Sequence, residues 1–271
     1  MNNFTKRTIT ALFFVIILLG GITYNKYTFA LLILIITILA AHEFFALSNH
    51  GKASPQKALG FVAITIFFVS NALVAMQITN IKILLINIPF IFSFFIAELF
   101  TKADKPFNNI AYMMLCLVYI VFPFTLLHYT AYAVNGEFQS SIILGFFYLL
   151  WASDTGAYLS GMAFGRTKLF ERISPKKSWE GFIGGAVLSL LVAYILSQYF
   201  TILPFKDWAI IAVIIIIAGT LGDLVESLFK RSIDIKDSGT MLPGHGGILD
   251  RFDGLLLAAP FVFVYLFLIW R

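Results

Sequence analysis

Residues 255–270 read LLLAAPFVFVYLFLIW, a run without a single charged side chain. A helix needs about 20 apolar residues to cross the hydrocarbon core of a bilayer, and only helices or closed barrels satisfy the backbone there. Similar runs recur along the chain, and they are continuous rather than alternating, which favours helices. We predict nine spans, at about residues 8–24, 29–47, 58–77, 81–100, 110–130, 140–163, 181–201, 208–226 and 253–270. The expected fold is an all-α polytopic integral membrane protein.

The composition excludes a soluble globular domain. Of the 271 residues, 60% are hydrophobic and 12% are charged, whereas soluble domains contain about 25% charged residues. The single cysteine, Cys116, excludes an internal disulfide framework. The basic start at Lys6 and Arg7 resembles a secretory signal, but no small-residue cleavage site follows, so we expect a retained first span.

The distribution of basic residues predicts the orientation. Fifteen of the 19 Lys and Arg residues fall at the N-terminus or in the loops after even-numbered spans. By the positive-inside rule these segments, and with them the N-terminus, are cytoplasmic. The net charge of +5 is explained by these loops, so we expect no nucleic-acid partner.

The two halves of the chain differ in their loops. Residues 1–135 form about five spans with short turns, whereas residues 136–271 include two long cytoplasmic loops, 164–180 and 227–252. We expect the catalytic region in the second half. The polar stretch WASDTGAY (151–158) is expected to interrupt the sixth span near its end.

Acidic residues cluster at the predicted cytoplasmic ends of the spans. Ionisable groups at membrane depth usually mark a cavity or a pathway. Here they share one depth, which favours chemistry at one interface over transport across the bilayer. Glu43 and Glu98, at the ends of the second and fourth spans, belong to this set without an assigned role.

Four carboxylates suggest a metal site. Asp223 and Glu226 share a helix face, and Asp250 and Asp253 are likewise three residues apart. Mg²⁺ binds through a few carboxylates and leaves positions for phosphate oxygens. The alternative is that Asp250 and Asp253 only cap the last helix and interact with its dipole.

The long loops add cations and glycines. Ser227, Lys230, Arg231 and Lys236 surround the acids, and Lys and Arg beside a metal suit phosphate recognition. In PGHGG (243–247) the glycines allow the backbone to approach an anion, and His245 could bind phosphate or shuttle a proton. Alternatively, the Lys and Arg residues only set the membrane topology, and PGHGG only forms a tight loop between two helices.

The other loop reads GRTKLFERISPKKSWEG (165–181). Lys176, Lys177 and Ser178 precede a helix start and could bind an anion there, although positive-inside charge is again the alternative. Asp154, just before this loop, lacks an evident structural reason. Trp179 is interpreted as an interfacial anchor rather than a base-stacking platform.

The stretch 227–253 resembles the signature of phosphatidate cytidylyltransferases, also called CDP-diacylglycerol synthases. It follows that pattern through all 27 residues without a gap. The matching positions are Ser227, Lys230, Arg231, Lys236, Asp237, Gly239, Leu242, Pro243, His245, Gly246, Gly247, Asp250, Arg251 and Asp253. SPKKSWEG (174–181) and SDTGAY (153–158) are similar to further segments of the family.

The resemblance implies that CTP and phosphatidate react to give CDP-diacylglycerol and pyrophosphate, with Mg²⁺, in the cell membrane and facing the cytoplasm. For this reaction we assign Asp223 and Asp250 as the main metal ligands, with Asp253 supporting them or holding a second cation. Lys230, Arg231 and His245 are the remaining predicted catalytic residues. The predicted substrate-binding residues are Asp154, Lys176, Lys177, Ser178, Ser227, Lys236, Gly246, Gly247 and Arg251. A homodimer is compatible with the resemblance.

The clustered acids are also found in two other classes of membrane protein. CDP-alcohol phosphotransferases also use clustered aspartates, but DRFDG (250–254) lacks their D-G-x2-A-R spacing. A cation-coupled transporter using Glu43, Glu98 and Asp154 would need polar groups at mid-membrane. The acids on the predicted outer side are only Glu137 and Asp207, both in predicted loops, which disfavours transport.

Overall fold

The computed structural model describes residues 3–51, 53–239, 241 and 246–270, with side chains from residue 8 onward. Within these residues, eight helical segments are long and apolar enough to span a membrane: Lys26–Leu47, Lys57–Ala75, Ile81–Glu98, Pro106–Thr130, Ser140–Phe164, Trp179–Tyr199, Phe205–Ser232 and Leu249–Trp270. A shorter apolar segment, Thr8–Tyr24, precedes them. These nine segments match the nine predicted spans, which confirms the all-α polytopic class.

The first helices are α1 (Asn3–Tyr24), α2 (Lys26–Leu47) and α3 (Lys57–Ala75). Asn25 separates α1 from α2 by a capping box: its side chain accepts from the N–H of Thr28, and the Thr28 hydroxyl accepts from the N–H of Asn25. A 3₁₀ turn, Ile81–Ile86, leads directly into α4 (Asn87–Glu98).

The fifth span changes its helical geometry midway. It consists of α5 (Pro106–Cys116), a π-helical turn (Leu117–Val121) and α6 (Phe122–Thr130). Pro123 lies just after this turn. Proline lacks an N–H and its ring crowds the carbonyl four residues earlier, so the wider turn lets the span continue.

The second half contains α7 (Ser140–Phe164), α8 (Trp179–Tyr199), α9 (Phe205–Ser232) and α10 (Leu249–Trp270). The expectation that WASDTGAY interrupts the sixth span is wrong, because α7 runs through it without a break. Gly156, within this stretch, packs directly against α8: an added Cβ would lie 2.6 Å from the carbonyl oxygen of Gly184.

A two-stranded hairpin, β1 (Lys168–Phe170) paired antiparallel with β2 (Ser174–Ser178), occupies the loop before α8. The sequence analysis expected only a loop there. Ser178 ends the hairpin and caps α8, since its hydroxyl accepts from the N–H of Gly181 at 3.1 Å.

The chain divides into two compact units. The first comprises the chain up to Tyr129 together with Ile233–Arg251, and the second comprises Thr130–Ser232 with the chain from Phe252 onward. The predicted division at residue 135 placed the whole signature stretch with the C-terminal half. The structure instead groups most of that stretch with the N-terminal helices.

Candidate active site

A pair of opposite charges faces an open pocket in the second unit. The Nζ atom of Lys177, on β2, lies 2.5 Å from Oδ2 of Asp223, on α9. The two side chains are 26% and 37% exposed, so both remain accessible to a ligand. Two residues that the sequence analysis assigned to separate groups, a substrate-binding cation and a metal-binding acid, are thus in direct contact.

The pocket around this pair has a volume of about 450 Å³. Its wall combines charged groups with apolar side chains from helices and from the hairpin. The lining residues are Ser153, Asp154, Ala157, Tyr158, Gly161, Met162, Leu169, Lys176, Lys177, Ser178, Gly181, Phe182, Gly219, Thr220, Asp223, Asp253 and Gly254. A water-soluble anionic group and an apolar chain could therefore both find complementary surface here.

Three carboxylates, Asp154, Asp223 and Asp253, line this one pocket from three different helices. Close packing of α9 on α10 brings two of them together. An added Cβ at Gly222 would lie 2.5 Å from the carbonyl oxygen of Asp253 and 3.2 Å from the Cα of Gly254. Only the absence of a side chain at position 222 allows the neighbouring Asp223 to lie beside Asp253.

The donor set of the pocket suits a hard divalent cation. Three carboxylates supply oxygen ligands of the type that Mg²⁺ prefers, and a single paired lysine does not neutralise them. Within the described part of the chain, no group of three or more His, Cys, Asp or Glu side chains already has the arrangement of a metal site. Binding of a cation would thus require Asp223 to exchange the Lys177 ammonium for the metal.

The hairpin that carries the two lysines is fixed by Glu180. The Glu180 carboxylate accepts from the backbone N–H of Arg166 at 3.1 Å and from that of Thr167 at 3.1 Å. Trp179 donates its backbone N–H to the carbonyl of Thr167 at 2.9 Å. The sequence analysis assigned no role to Glu180, although an acid in the first turn of a helix signals an interaction with backbone N–H groups.

Close packing of α7 on α8 forms one wall of the pocket. An added Cβ at Gly181 would lie 2.9 Å from the carbonyl oxygen of Ala157, and one at Gly185 would lie 2.6 Å from that of Ser153. Small residues at helix interfaces allow such approach within membranes. The sequence analysis missed these glycines, and their spacing of four on α8 was the available signal.

The C-terminal end of α9 carries three further predicted site residues. The Ser227 hydroxyl donates to Oδ1 of Asp223 at 3.4 Å. Lys230 forms an ion pair with the buried Glu226, with 3.4 Å between Nζ and Oε1. Arg231 is exposed on the last turn. Ser227 thus directly contacts a residue that lines the pocket.

The remaining described part of the signature belongs to the first unit. Asp250 accepts with Oδ2 from the backbone N–H of Gly247 at 3.0 Å and from that of Ser238 at 3.3 Å. Gly246 has a φ of +83°, a conformation that glycine adopts readily. An added Cβ there would also lie 2.9 Å from Oδ2 of Asp250.

Asp250, a predicted metal ligand, therefore holds the loop that precedes it. Lys236 and Arg251 are exposed. His245 lies outside the described residues. That Asp250 joins Asp223 and Asp253 in binding metal stays a prediction, as do the assigned roles of the other site residues.

Comparison with known proteins agrees with the signature. Residues 5–269 match the model of the cytidylyltransferase family. A phosphatidate cytidylyltransferase of Bacillus subtilis (strain 168) is 31% identical over 268 residues, covering 98% of both chains. One of Staphylococcus haemolyticus (strain JCSC1435) is 33% identical over 268 residues, covering 96% of this chain and 98% of the relative.

A third relative matches more closely over a shorter length. The phosphatidate cytidylyltransferase of Haemophilus influenzae is 44% identical over 147 residues, which cover 52% of this chain and 50% of that protein. The match to the family model extends over nearly the whole chain, and the two long alignments agree with it. These findings confirm the resemblance seen in residues 227–253, and the chain belongs to the cytidylyltransferase family.

Proposed function

We propose that this enzyme is a phosphatidate cytidylyltransferase, which converts CTP and phosphatidate to CDP-diacylglycerol and pyrophosphate. The observation that carries the proposal is the pocket in which Lys177 pairs with Asp223 beside Asp154 and Asp253. Phosphate groups need cations, and a phosphate-bound Mg²⁺ needs carboxylates. The names of the relatives in Bacillus and Staphylococcus support the same reaction.

In the proposed reaction a phosphate oxygen of phosphatidate attacks the α-phosphorus of CTP. The bond from that phosphorus to the oxygen bridging to the β-phosphate breaks, and pyrophosphate leaves with the electron pair. The attacking phosphate is already anionic near neutral pH, so no strong base is required. Positioning and charge neutralisation then supply most of the catalysis.

The two lysines of β2 would hold the nucleotide. Lys176 and Lys177 both line the pocket, and the hydrogen bonds of Glu180 fix the hairpin on which they lie. On CTP binding, the Lys177 ammonium would move from Asp223 to the triphosphate. Lys230, Arg231, Lys236 and Arg251 remain candidates for further phosphate contacts.

Asp223 and Asp253, with Asp154, would hold Mg²⁺ in this pocket, and the resemblance adds Asp250. Bound there, the cation would neutralise the phosphates and polarise the phosphorus under attack. Asp223 has a second partner in Ser227, which would keep its carboxylate oriented while Lys177 departs. A second cation remains part of this proposal.

The apolar wall would receive the lipid. Tyr158 and Met162 of α7 are 65% and 64% exposed and line the same pocket as Lys177. With Leu169 and Phe182 they provide a surface that acyl chains could contact from the bilayer. The phosphate of phosphatidate would then lie at the depth of the charged residues.

We further propose that the protein lies in the cell membrane with this pocket at the cytoplasmic face. The bias of Lys and Arg residues toward one set of loops supports that orientation. CTP is supplied in the cytoplasm, which agrees with it. The homodimer also remains a proposal.

The test measures transfer of radiolabel from α-³²P CTP into chloroform-extractable lipid. Purified protein in detergent would receive dispersed phosphatidate, with Mg²⁺ or with EDTA. We expect magnesium-dependent label in the lipid phase, and at least a ~100-fold loss with Asp223→Asn, because one oxygen ligand loses its charge. Folded wild-type protein that leaves the label in the aqueous phase would refute the proposed function.

A further inference from the structure

The buried carboxylate of Glu43, on α2, is bonded to the described signature residues that precede α10 in the first unit, 238–239 and 246–248, which form the signature loop. Glu43 is 3% exposed. Its Oε2 accepts from the backbone N–H of Ile248 at 2.6 Å and from that of Leu249 at 3.3 Å. Its Oε1 accepts from the hydroxyl of Ser238. A side chain nearly 200 residues away in sequence thus binds both ends of the loop before α10.

These contacts suit a charged group. Ile248 and Leu249 stand at the start of α10, where backbone N–H groups lack helical acceptors and the helix dipole favours a negative charge. Hydrogen bonds to an ionised acceptor are stronger than those between neutral groups. A buried carboxylate is costly unless it is bonded in this way, so Glu43 and the loop depend on each other.

Two glycines of the signature make space for the Glu43 carboxylate. An added Cβ at Gly239 would lie 2.6 Å from Oε1 of Glu43, and one at Gly247 would overlap the same oxygen. The sequence analysis explained the glycines by the approach of the backbone to a phosphate. In the structure, a carboxylate of the protein itself fills the space beside them.

The contacts continue from Glu43 to Asp250. Ser238 donates its hydroxyl to Glu43 and its backbone N–H to Oδ2 of Asp250. Gly247, which adjoins the two N–H donors to Glu43, also donates to Oδ2 of Asp250. Loss of the Glu43 charge would therefore loosen both segments that fix the Asp250 side chain.

We propose that Glu43 is a positioning residue, which holds the signature loop and the first turn of α10 so that Asp250 has its working orientation. The proposal rests on the proposed function, in which Asp250 acts on the substrates or the metal. Glu43 acts through the loop. Its partners are not among the residues that line the pocket around Lys177, so we expect it to affect kcat more than the KM for CTP.

The test combines hydrogen–deuterium exchange with steady-state kinetics of the full-length protein. Glu43→Gln keeps the size of the side chain and removes its charge. We expect amide exchange in residues 246–250 to accelerate roughly tenfold and kcat to fall roughly tenfold, because charge-assisted hydrogen bonds are lost. The KM for CTP should stay within about twofold of the wild-type value, because Glu43 does not line the pocket.

Glu98→Gln provides the matched control. Glu98 is another buried carboxylate of the first unit, and its Oε2 accepts from Thr101 and Asn109. The same change there should leave exchange in residues 246–250 at the wild-type rate. Equal acceleration in both variants would mean general loosening and would overturn the proposal.

A second variant approaches the same contact from the loop. Gly247→Ala should reproduce the faster exchange and the lower kcat, because its methyl group would overlap both the Glu43 carboxylate and the Ser238 hydroxyl bonded to it. Adding Glu43→Gln to it should lower kcat by less than a further twofold, since residues that act through one contact are not additive. If the fall in kcat of the double variant equals the product of the falls in the two single variants, the proposal is overturned.

The outcomes separate this proposal from the proposed function. Unchanged exchange, or unchanged kcat, in Glu43→Gln of an active enzyme overturns the positioning role alone. Wild-type protein without cytidylyl transfer overturns the proposed function and with it the catalytic part of this proposal. The exchange data would then still decide whether Glu43 orders the loop.

Discussion

Replacement of Lys177 by methionine tests the pocket most directly. The change keeps most of the side-chain volume and removes the ammonium that lies 2.5 Å from Asp223. The substitution should weaken the binding of CTP and strengthen the binding of Mg²⁺. CTP loses a cation that would contact its triphosphate, whereas Mg²⁺ loses a competitor for the Asp223 carboxylate.

The exposure of Lys177 in the structure determines how large a loss in CTP binding we expect. A hydrogen bond to a charged group contributes about 1.5–3 kcal/mol, and with Lys177 26% exposed solvent screening favours the lower end. A loss of about 1.5–2 kcal/mol corresponds to a roughly 10–30-fold fall in kcat/KM for CTP. The half-saturating Mg²⁺ concentration should fall at the same time, by about two- to fivefold, as expected for loss of a screened ion pair.

The assay is the transfer of α-³²P label to lipid, with CTP and Mg²⁺ varied separately. Lys168→Met is the control, because Lys168 is exposed on the same hairpin but is not part of the pocket lining; its kinetics should stay within about twofold. A folded Lys177→Met variant with wild-type CTP kinetics would refute the reasoning. So would a higher Mg²⁺ requirement.

Three further predictions concern the walls of the pocket. Asp253→Asn should raise the half-saturating Mg²⁺ concentration about tenfold or more in the same assay, because a charged oxygen ligand is lost; an unchanged magnesium titration would remove Asp253 from the proposed ligands. Glu180→Gln should raise the KM for CTP several-fold and accelerate amide exchange at Thr167, whose N–H it binds; exchange at the wild-type rate would contradict this. Gly185→Ala should destabilise the protein by about 1–3 kcal/mol, because its methyl group would crowd the carbonyl of Ser153, and thermal unfolding in detergent would measure the loss.

The spans were predictable because the bilayer imposes a strong and local rule. About 20 apolar residues in a row suffice to identify a membrane helix, and all nine predicted segments are helical in the structure. The rule fails where a polar stretch remains helical. Asp154 and its neighbours continue α7 because Gly156 packs on α8, and that contact depends on a partner that the local sequence does not reveal.

The candidate site was predictable as a set of residues and only partly as an arrangement. Asp154, Lys177, Asp223 and Asp253 were all chosen from the sequence, and they line one pocket. Their pairing was not foreseen, because the hairpin that carries Lys177 is short and too polar for a period of two to identify it.

The hydrogen bonds of Glu43 could not be predicted from the sequence, for a different reason. Its position at the end of a span was noted, but its hydrogen-bond partners lie about 200 residues further along the chain. No local pattern reports such a contact. A buried acid without a local partner only indicates that one must exist somewhere in the fold.

The contact of Lys177 with Asp223 also bears on how the protein is made. Acidic side chains in a membrane helix add to the free-energy cost of passing that helix from the translocon into lipid. Asp154, Asp223 and Asp253 lie on three different helices, α7, α9 and α10. The countercharge lies in a hairpin between α7 and α8, the first and second of the four C-terminal helices. It is therefore already synthesised when α9 emerges. Lys177 can thus pair with Asp223 before the protein meets a nucleotide.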